Sequence, residues 1–447
     1  MQDKHGLLTG SIPLVLRQMT VPMTFGMVAI FLFNLVDTFF VSMLGTQALA
    51  AISFTFPVTF TINSITMGIG IGISTQIGYL MGRARNNSAS SIATHGILLA
   101  VVIVSLTSML GLITLKPLFI ALGAEPDTLF MIHQYMSIWY CAVPLLVIPM
   151  AGNSVIRATG DTQTPAKIMI LSGVINGVLD PIFIFGFGPI PALGIKGAAL
   201  ASAISWLGAS CYAVYILVKR EKLIAMPNVN SFWRDSSKLL KISIPATLSN
   251  TLIPISGAIF IAVLSQYGTE AVAAFGAAQR IESILLLVLM SLTSALTPFI
   301  AQNMGANNPS RSFAGLFMGM RFAIIFQTII FLMIVPLSSY IASLFSQDGN
   351  VKTFLWQYLL CVPLSYGFQG VMMMLVSGLN ALKKPINAFL WSCARLFIFM
   401  LPCALIGSFL HQVSGLFLGI AVANILGGIT SYCYAIKLRR THVSSQD

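Results

Sequence analysis

Charged residues are scarce in this sequence. Of its 447 residues only 8% are Asp, Glu, Lys or Arg, whereas 57% are hydrophobic. A soluble domain carries about 25% charged residues, and a chain of this size could not cover a water-exposed surface with so few. The composition therefore excludes an ordinary soluble protein and predicts a membrane protein.

The hydrophobic runs also lack the polar alternation of transmembrane β-strands. Many extend over about twenty residues or more, which is enough for a helix to cross about 30 Å of hydrocarbon while satisfying its own backbone groups. We therefore predict an all-α polytopic membrane protein with twelve transmembrane helices. Their approximate positions are 14–44, 48–81, 91–115, 130–150, 165–188, 194–218, 238–266, 272–302, 313–345, 353–380, 385–409 and 413–437.

Motifs of metal centres and enzymes are missing as well. The six cysteines lie in or beside apolar runs without ligand-like spacing, which predicts no metal site and no cofactor other than a coupling ion. No HExxH or GxSxG sequence indicates a metallo- or serine enzyme. An intramembrane aspartyl protease is the alternative from another class, but neither Asp37 nor Asp180 lies in the GxGD-type motif that it needs.

The positive charge sets the orientation. Although the net charge is +12, no basic stripe with interleaved aromatic residues indicates a nucleic-acid partner. By the predicted spans, nineteen Lys and Arg residues fall at the chain ends and in the loops of one side, and only Lys116, Lys196 and Lys352 on the other. The positive-inside rule therefore places both termini on the cytoplasmic side of the membrane. We expect this membrane to be the inner (plasma) membrane of a bacterium or archaeon.

The sequence repeats itself. The segment from Gly45 to Ala51 resembles that from Gly268 to Ala274, an offset of 223 positions. Two parallel six-helix lobes related by pseudo-symmetry, with a substrate cavity between them, are typical of secondary transporters. We predict an N-terminal lobe at 1–222 that contains a cation site, a cytoplasmic linker at 223–237 and a C-terminal lobe at 238–447.

Five ionisable residues fall at membrane depth: Asp37, Asp180, Arg280, Glu282 and Arg395. Each charge costs about 3 kcal/mol at a helix centre unless it faces a partner or a water-filled cavity. For Arg280, Glu282 and Arg395, both a structural ion-pair network and a role in the cavity remain open.

The two aspartates form the stronger candidate site. Asn176 and Asp180 are four residues apart and share a helix face. Two carboxylates with an amide between them can share a proton or bind Na⁺ through oxygen ligands, so Na⁺ is a possible ligand of Asp37, Asn176 and Asp180. Passive polar packing is the alternative reading.

Several further residues are candidates for a cavity or a hinge. Pro22 lies inside the first span and can act as a kink point, although a proline tolerated without motion explains it equally well. Asn34 and Tyr135 are the other cavity candidates. Glycines at 68, 70, 72, 78 and 82 resemble a phosphate loop, but they lie in an apolar span with no strand before them and indicate close helix packing.

Four segments together resemble the multidrug and toxic compound extrusion (MATE) transporters across all twelve spans. They are 34–38 (NLVDT), 157–162 (RATGDT), 176–181 (NGVLDP) and 197–202 (GAALAS). The resemblance implies an N-terminal-lobe cation site at Asp37, Asn176 and Asp180, with the hydroxyl group of Ser202 nearby. The seventh and tenth spans lack acids, which makes the chain more similar to the DinF-like branch than to the NorM-type pumps.

The resulting hypothesis is a secondary active transporter, not an enzyme. It would act as an H⁺-coupled, or less favourably Na⁺-coupled, antiporter that exports amphipathic, often cationic, drug-like compounds by alternating access. Its partners would be these small molecules and membrane lipid, and the resemblance implies a monomer. The alternative within the wider superfamily is a flippase for lipid-linked precursors, which normally needs a more cationic cavity.

Overall fold

The computed structural model describes residues 5–443, which form helices joined by short connections. Within this range there is no β-strand, only an isolated bridge between Phe187 and Ile190. The helices are α1 (Ile12–Ser42), α2 (Thr46–Gly82), α3 (Asn86–Ala121), α4 (Pro126–Ala158), α5 (Gln163–Phe185), α6 (Ile195–Tyr215), α7 (Val229–Leu264), α8 (Thr269–Leu285), α9 (Leu287–Gly305), α10 (Pro309–Phe345), α11 (Gly349–Cys361), α12 (Tyr366–Ala381), α13 (Pro385–Ala394) and α14 (Leu401–Val443).

Twelve membrane-crossing segments account for these helices. Helices α8 and α9 are two parts of one segment that breaks at Leu286, and a 3₁₀ turn at Pro363–Ser365 joins α11 to α12. The apolar stretch Pro385–His442 is 58 residues long, about twice the length needed for one crossing. It is divided by non-helical backbone at His411 and Gln412. The predicted all-α fold with twelve spans is confirmed.

Several helices are longer than the predicted spans. Helix α3 begins at Asn86 and ends at Ala121, and α7 begins at Val229, inside the segment 223–237 that we predicted to be a linker. The prediction followed hydropathy, which ends where the hydrocarbon ends, whereas helical hydrogen bonding continues through the polar residues beyond. Only 223–228 of that segment is non-helical.

The internal repeat is visible in the backbone. Gly45 and Gly268 both precede a helix with positive φ, at 107° and 105°. Ala84 and Asn307 adopt φ of 55° and 60°, although neither is a glycine. Both pairs are separated by the offset of the sequence repeat, so the two halves share the conformations of their turns.

The described chain forms two compact units. The first contains Val21–Thr247 and the second contains Gly6–Thr20 and Leu248 onwards. Helices α1 and α7 therefore each contribute to both units. Within the first unit the early part of α7 packs on α2, because a Cβ atom at Gly68 would lie 2.0 Å from Thr247 Oγ1 and one at Gly72 would lie 2.4 Å from Ser243 Oγ. These glycines serve helix packing, as predicted.

A buried polar contact fixes the start of α7 to α3. His95 Nδ1 lies 2.9 Å from Asp235 Oδ2, and the backbone N–H of Asn228 donates to His95 Nε2 over 3.3 Å. Because Nε2 accepts a hydrogen bond, the ring proton lies on Nδ1 and is donated to Asp235. The contact orders the short connection before α7.

Candidate functional site

Two glycines of α5, Gly173 and Gly177, lie where α1 packs against this helix in the first unit. A Cβ atom at Gly173 would lie 1.8 Å from Phe33 Cδ2, and one at Gly177 would lie 3.4 Å from Phe33 Cδ1. A side chain at Gly173 would fill the space that the Phe33 ring occupies, whereas Gly177 lies at van der Waals distance from the ring. The absence of a side chain thus lets α1 approach α5 closely at membrane depth.

This approach brings the two predicted aspartates together. Asp37 lies one helical turn after Phe33, and Asp180 lies two turns after Gly173, so both carboxyl groups project from the faces in contact. They lie within hydrogen-bonding reach of each other. The first-span and fifth-span acids are therefore one site.

Asn176 extends the site to α6. Its Nδ2 group donates to Asp180 Oδ1 over 3.2 Å and lies 3.4 Å from Ser202 Oγ, to which it also donates. One amide therefore connects α5 with α6. The four residues predicted for cation coupling form one continuous polar cluster in the first unit.

The two carboxyl groups have unsatisfied oxygens. Asp180 is fully buried, and within residues 5–443 neither Asp180 Oδ2 nor Asp37 Oδ1 accepts a hydrogen bond from a donor group. Tyr135 of α4 is buried within electrostatic range of both acids. Two close, desolvated carboxylates repel each other, and either a proton or an oxygen-coordinated cation between them would relieve that repulsion. The unpartnered oxygens are suitable acceptors for either ion.

Two other predicted residues of α1 lie away from this cluster's hydrogen bonds. Pro22 is half-buried inside α1, immediately after the point where the chain passes from the second unit to the first. Asn34 is exposed, and its carbonyl oxygen accepts a hydrogen bond from Thr38 Oγ1 over 2.8 Å.

A second polar cluster lies in the second unit, around Glu282. This residue is in the last turn of α8, just before the break at Leu286. Tyr358 Oη donates to Glu282 Oε2 over 3.1 Å, and Gln369 Nε2 donates to Oε1 over 2.9 Å. Each carboxylate oxygen therefore accepts a hydrogen bond from a neutral side chain.

The two arginines that we considered as ion-pair partners of Glu282 do not pair with it in the described part of the chain. Arg280 is exposed, whereas Arg395 is half-buried and its Nε atom is buried without a hydrogen-bond partner. Arg395 nevertheless lies within electrostatic range of Glu282, so the direct contacts of this carboxylate are with neutral donors and the arginine acts on it over a longer distance. The sequence did not reveal Tyr358 and Gln369, because neutral polar residues do not stand out in apolar runs.

Carboxylate clusters of the kind that hold transition metals are absent from residues 5–443, where no three His, Cys, Asp or Glu side chains are grouped to bind a metal ion.

A helical membrane protein with two repeated six-span halves and a buried acid pair has the construction of a secondary transporter. Comparison with known proteins identifies its family. The MatE family model matches residues 22–182 and again residues 245–406. The chain belongs to this family of multi-pass transporters of the bacterial plasma membrane and is not an enzyme. The two matches begin at the offset of the internal repeat.

Individual relatives match over most of their length. The chain is 42% identical over 440 residues to the FAD transporter of Shewanella oneidensis, covering 98% of this chain and 97% of the relative. It is 27% identical to the multidrug export protein MepA of Staphylococcus aureus, over 64% of each chain. The crystal structure of the Vibrio cholerae MATE transporter VcmN in the bent form has a TM-score of 0.92 at 31% identity, covering 96% of this chain and 98% of that one.

Proposed function

We propose that this protein is a cation-coupled exporter in which Asp37 and Asp180 bind the coupling ion, with Asn176 and Ser202 as supporting ligands. The observation that carries the proposal is the pair of buried, unpartnered carboxylate oxygens at membrane depth. The protein would then bind the ion from one side of the membrane and the substrate from the other side, in alternation.

A proton is the proposed coupling ion. One proton shared between the two carboxyl groups would remove their repulsion and would turn an unpartnered oxygen into a donor. A sodium ion would need most of the oxygens that the two carboxylates, the amide, the hydroxyl group and nearby carbonyls of the cluster can supply. A proton needs only one carboxyl group with a neighbour that can share it.

Amphipathic, often cationic, drug-like compounds are the first candidate substrates. The similarity to a multidrug export protein supports this class. A flavin dinucleotide is the second candidate, because the relative that is 42% identical over nearly the whole chain is named an FAD transporter. The two candidates carry opposite charge, so a single assay separates them.

The proposed orientation places the ends of the chain, and the connection between α6 and α7, in the cytoplasm, as the distribution of Lys and Arg favours. A cysteine introduced at Asp348, between α10 and α11, should react with an impermeant reagent added outside intact cells. A cysteine at Ser231, at the start of α7, should not. The reverse labelling pattern would overturn the orientation.

Transport into proteoliposomes tests coupling and substrate together. Vesicles with an acidic lumen and no sodium should accumulate labelled ethidium, a planar organic cation, or FAD, and a protonophore should abolish the accumulation. Vesicles that contain the Asp37→Asn variant should accumulate neither. Accumulation that requires a sodium gradient and ignores the pH gradient would replace the proton with sodium. Absence of gradient-driven transport of both compounds would refute the proposed function.

A further inference from the structure

A surface groove runs along α4 and α6 of the first unit and continues beside the π-helical turn Ile216–Arg220 that extends α6. Its volume is about 550 Å³. The residues that line it include Leu145 and Ile148 on α4, Leu207, Cys211 and Val214 on α6, and Lys219 on the π turn. No residue of this groove belongs to the acid cluster.

The helices that form the groove are held together by specific contacts. Ser210 Oγ donates to the backbone oxygen of Leu145 over 2.5 Å, which ties α6 to α4. The side chain of Leu217 lies over Gly152, where an added Cβ atom would be 3.1 Å from Leu217 Cδ1. The π-helical turn occupies the end of α6, and such turns widen a helix locally and often occur at functional sites.

The dimensions of the groove suit a lipid chain. From Leu207 to Lys219 a helix rises about 18 Å, which compares with about 15 Å for the hydrocarbon half of one bilayer leaflet. The apolar side chains Leu207 and Val214 are 48% and 44% exposed. An extended acyl chain could therefore lie along the groove from the middle of the membrane to its surface.

One charge lies at the membrane-surface end. Lys219 is the single charged residue of the groove lining. It is exposed and forms no ion pair within the described residues, whereas its neighbour Arg220 is paired with Asp161 and Glu221. The ammonium group of Lys219 is therefore available at the level where a lipid phosphate would lie.

We infer that this groove is a binding site for an anionic phospholipid, with one acyl chain along α6 and the phosphate group at Lys219. Basic residues near the membrane surface attract anionic lipid headgroups. The proposed lipid is structural or regulatory and is distinct from the exported substrate, so the site stands independently of the proposed function.

Native mass spectrometry of the purified full-length protein tests the proposal. The protein is mixed in mild detergent with phosphatidylglycerol, phosphatidylethanolamine or palmitate of matched chain length, and retained lipid is counted. Phosphatidylglycerol should be retained preferentially. Lys219→Gln should weaken its retention about fivefold, the effect expected for one basic residue near an anionic lipid phosphate, while Lys241→Gln, an exposed cation outside the groove, should change little.

A second variant tests the chain-binding part of the groove. Val214→Trp should fill the groove and reduce retention of phosphatidylglycerol, whereas Val102→Trp, at an exposed valine of α3, should not. Size-exclusion profiles and thermal unfolding establish that each variant is folded. Equal retention of the two phospholipids, stronger retention of palmitate, or unchanged retention in both Lys219→Gln and Val214→Trp would overturn the assignment.

Discussion

The Phe33 ring of α1 occupies the space where a side chain at Gly173 of α5 would lie, since an added Cβ atom would be 1.8 Å from Phe33 Cδ2. Asp37 follows Phe33 by one turn. The separation of α1 and α5, and with it the distance between the carboxyl groups of Asp37 and Asp180, therefore depends on the absence of a single methyl group.

Gly173→Ala should consequently impair export and reduce stability. The added methyl group must displace the ring or the helix, and overpacking of this kind costs about 1–3 kcal/mol. The measurements are substrate accumulation in proteoliposomes and the midpoint of thermal unfolding in detergent. The double variant Gly173→Ala/Phe33→Ala should recover part of the transport that Gly173→Ala loses.

Gly276→Ala is the matched control for this experiment. Gly276 lies in α8, and a Cβ atom there would meet nothing within 4 Å. This substitution should leave export unchanged and slightly favour the helix. Equal effects of Gly173→Ala and Gly276→Ala would contradict the packing argument.

Asp37→Asn should abolish gradient-driven export while the protein remains folded. The substitution preserves size but removes the group that exchanges the proton, so substrate binding can no longer be linked to ion binding. Counterflow of substrate and pH-driven accumulation are compared at equal protein content. Glu125→Gln, the same chemical change at an exposed acid, is the control. An Asp37→Asn protein that still accumulates substrate against a gradient would exclude Asp37 as the coupling residue.

Asn176→Ala should reduce export less severely than Asp180→Asn. The amide donates to Asp180 Oδ1 and Ser202 Oγ. Its removal leaves the Asp180 carboxyl group in place but takes away the hydrogen bond that this group accepts from the amide. We expect a fall of about tenfold, as for the loss of one hydrogen bond to a charged group. The pH dependence of transport should shift for Asn176→Ala, whereas Ser202→Ala should change it less. An unchanged pH profile for Asn176→Ala would argue against a role in the site.

Much of this site could be predicted from the sequence, because acids in apolar runs are rare and conspicuous. The four-residue spacing of Asn176 and Asp180 places them on one helix face by periodicity alone. The contact of Phe33 with Gly173 could not be predicted, because twelve similarly apolar helices do not reveal which pairs are neighbours. The neutral donors around Glu282 were missed for a related reason: tyrosine and glutamine within a span carry no charge to mark them.

Tyr358→Phe should destabilise the second unit. The hydroxyl group donates to Glu282 and lies 3.1 Å from Tyr366 Oη, and the loss of one hydrogen bond to a charged group costs about 1–3 kcal/mol. Glu282 is half-buried, whereas the Tyr358 hydroxyl that it loses is buried, so thermal unfolding in detergent should occur at a lower temperature than for wild type. Tyr340→Phe makes the same change at a tyrosine that is 64% exposed and should have little effect. If Tyr358→Phe no longer lowers the unfolding temperature in a Glu282→Gln background, the two residues are energetically coupled.

Asp161, between α4 and α5, should remain ionised throughout the pH range of transport. Burial alone would raise its pKa, but hydrogen bonds from the side chain and backbone of Thr164, together with Arg220, lower the pKa below its usual value. An acid with a lowered pKa stabilises the fold above its unfolded-state pKa of about 3.9 and loses this contribution only as the pH falls further.

The unfolding temperatures of wild type and Asp161→Asn should therefore differ by a constant amount between pH 5 and 8. The expected cost of the substitution is about 1–3 kcal/mol. A difference that disappears on acidification from pH 7 to 6 would show that Asp161 titrates in this range, and would make it a competing source of the pH dependence of export.

The division of α1 and α7 between the two compact units has a consequence for the history of the gene. Neither half of the sequence contains all the residues of one unit, because Gly6–Thr20 belongs to the second unit and the first turns of α7 belong to the first. A six-helix precursor encoded by a single repeat could have completed this arrangement as a pair of chains that exchanged these segments. Fusion of the two genes would then have made a reciprocal exchange between subunits permanent within one polypeptide.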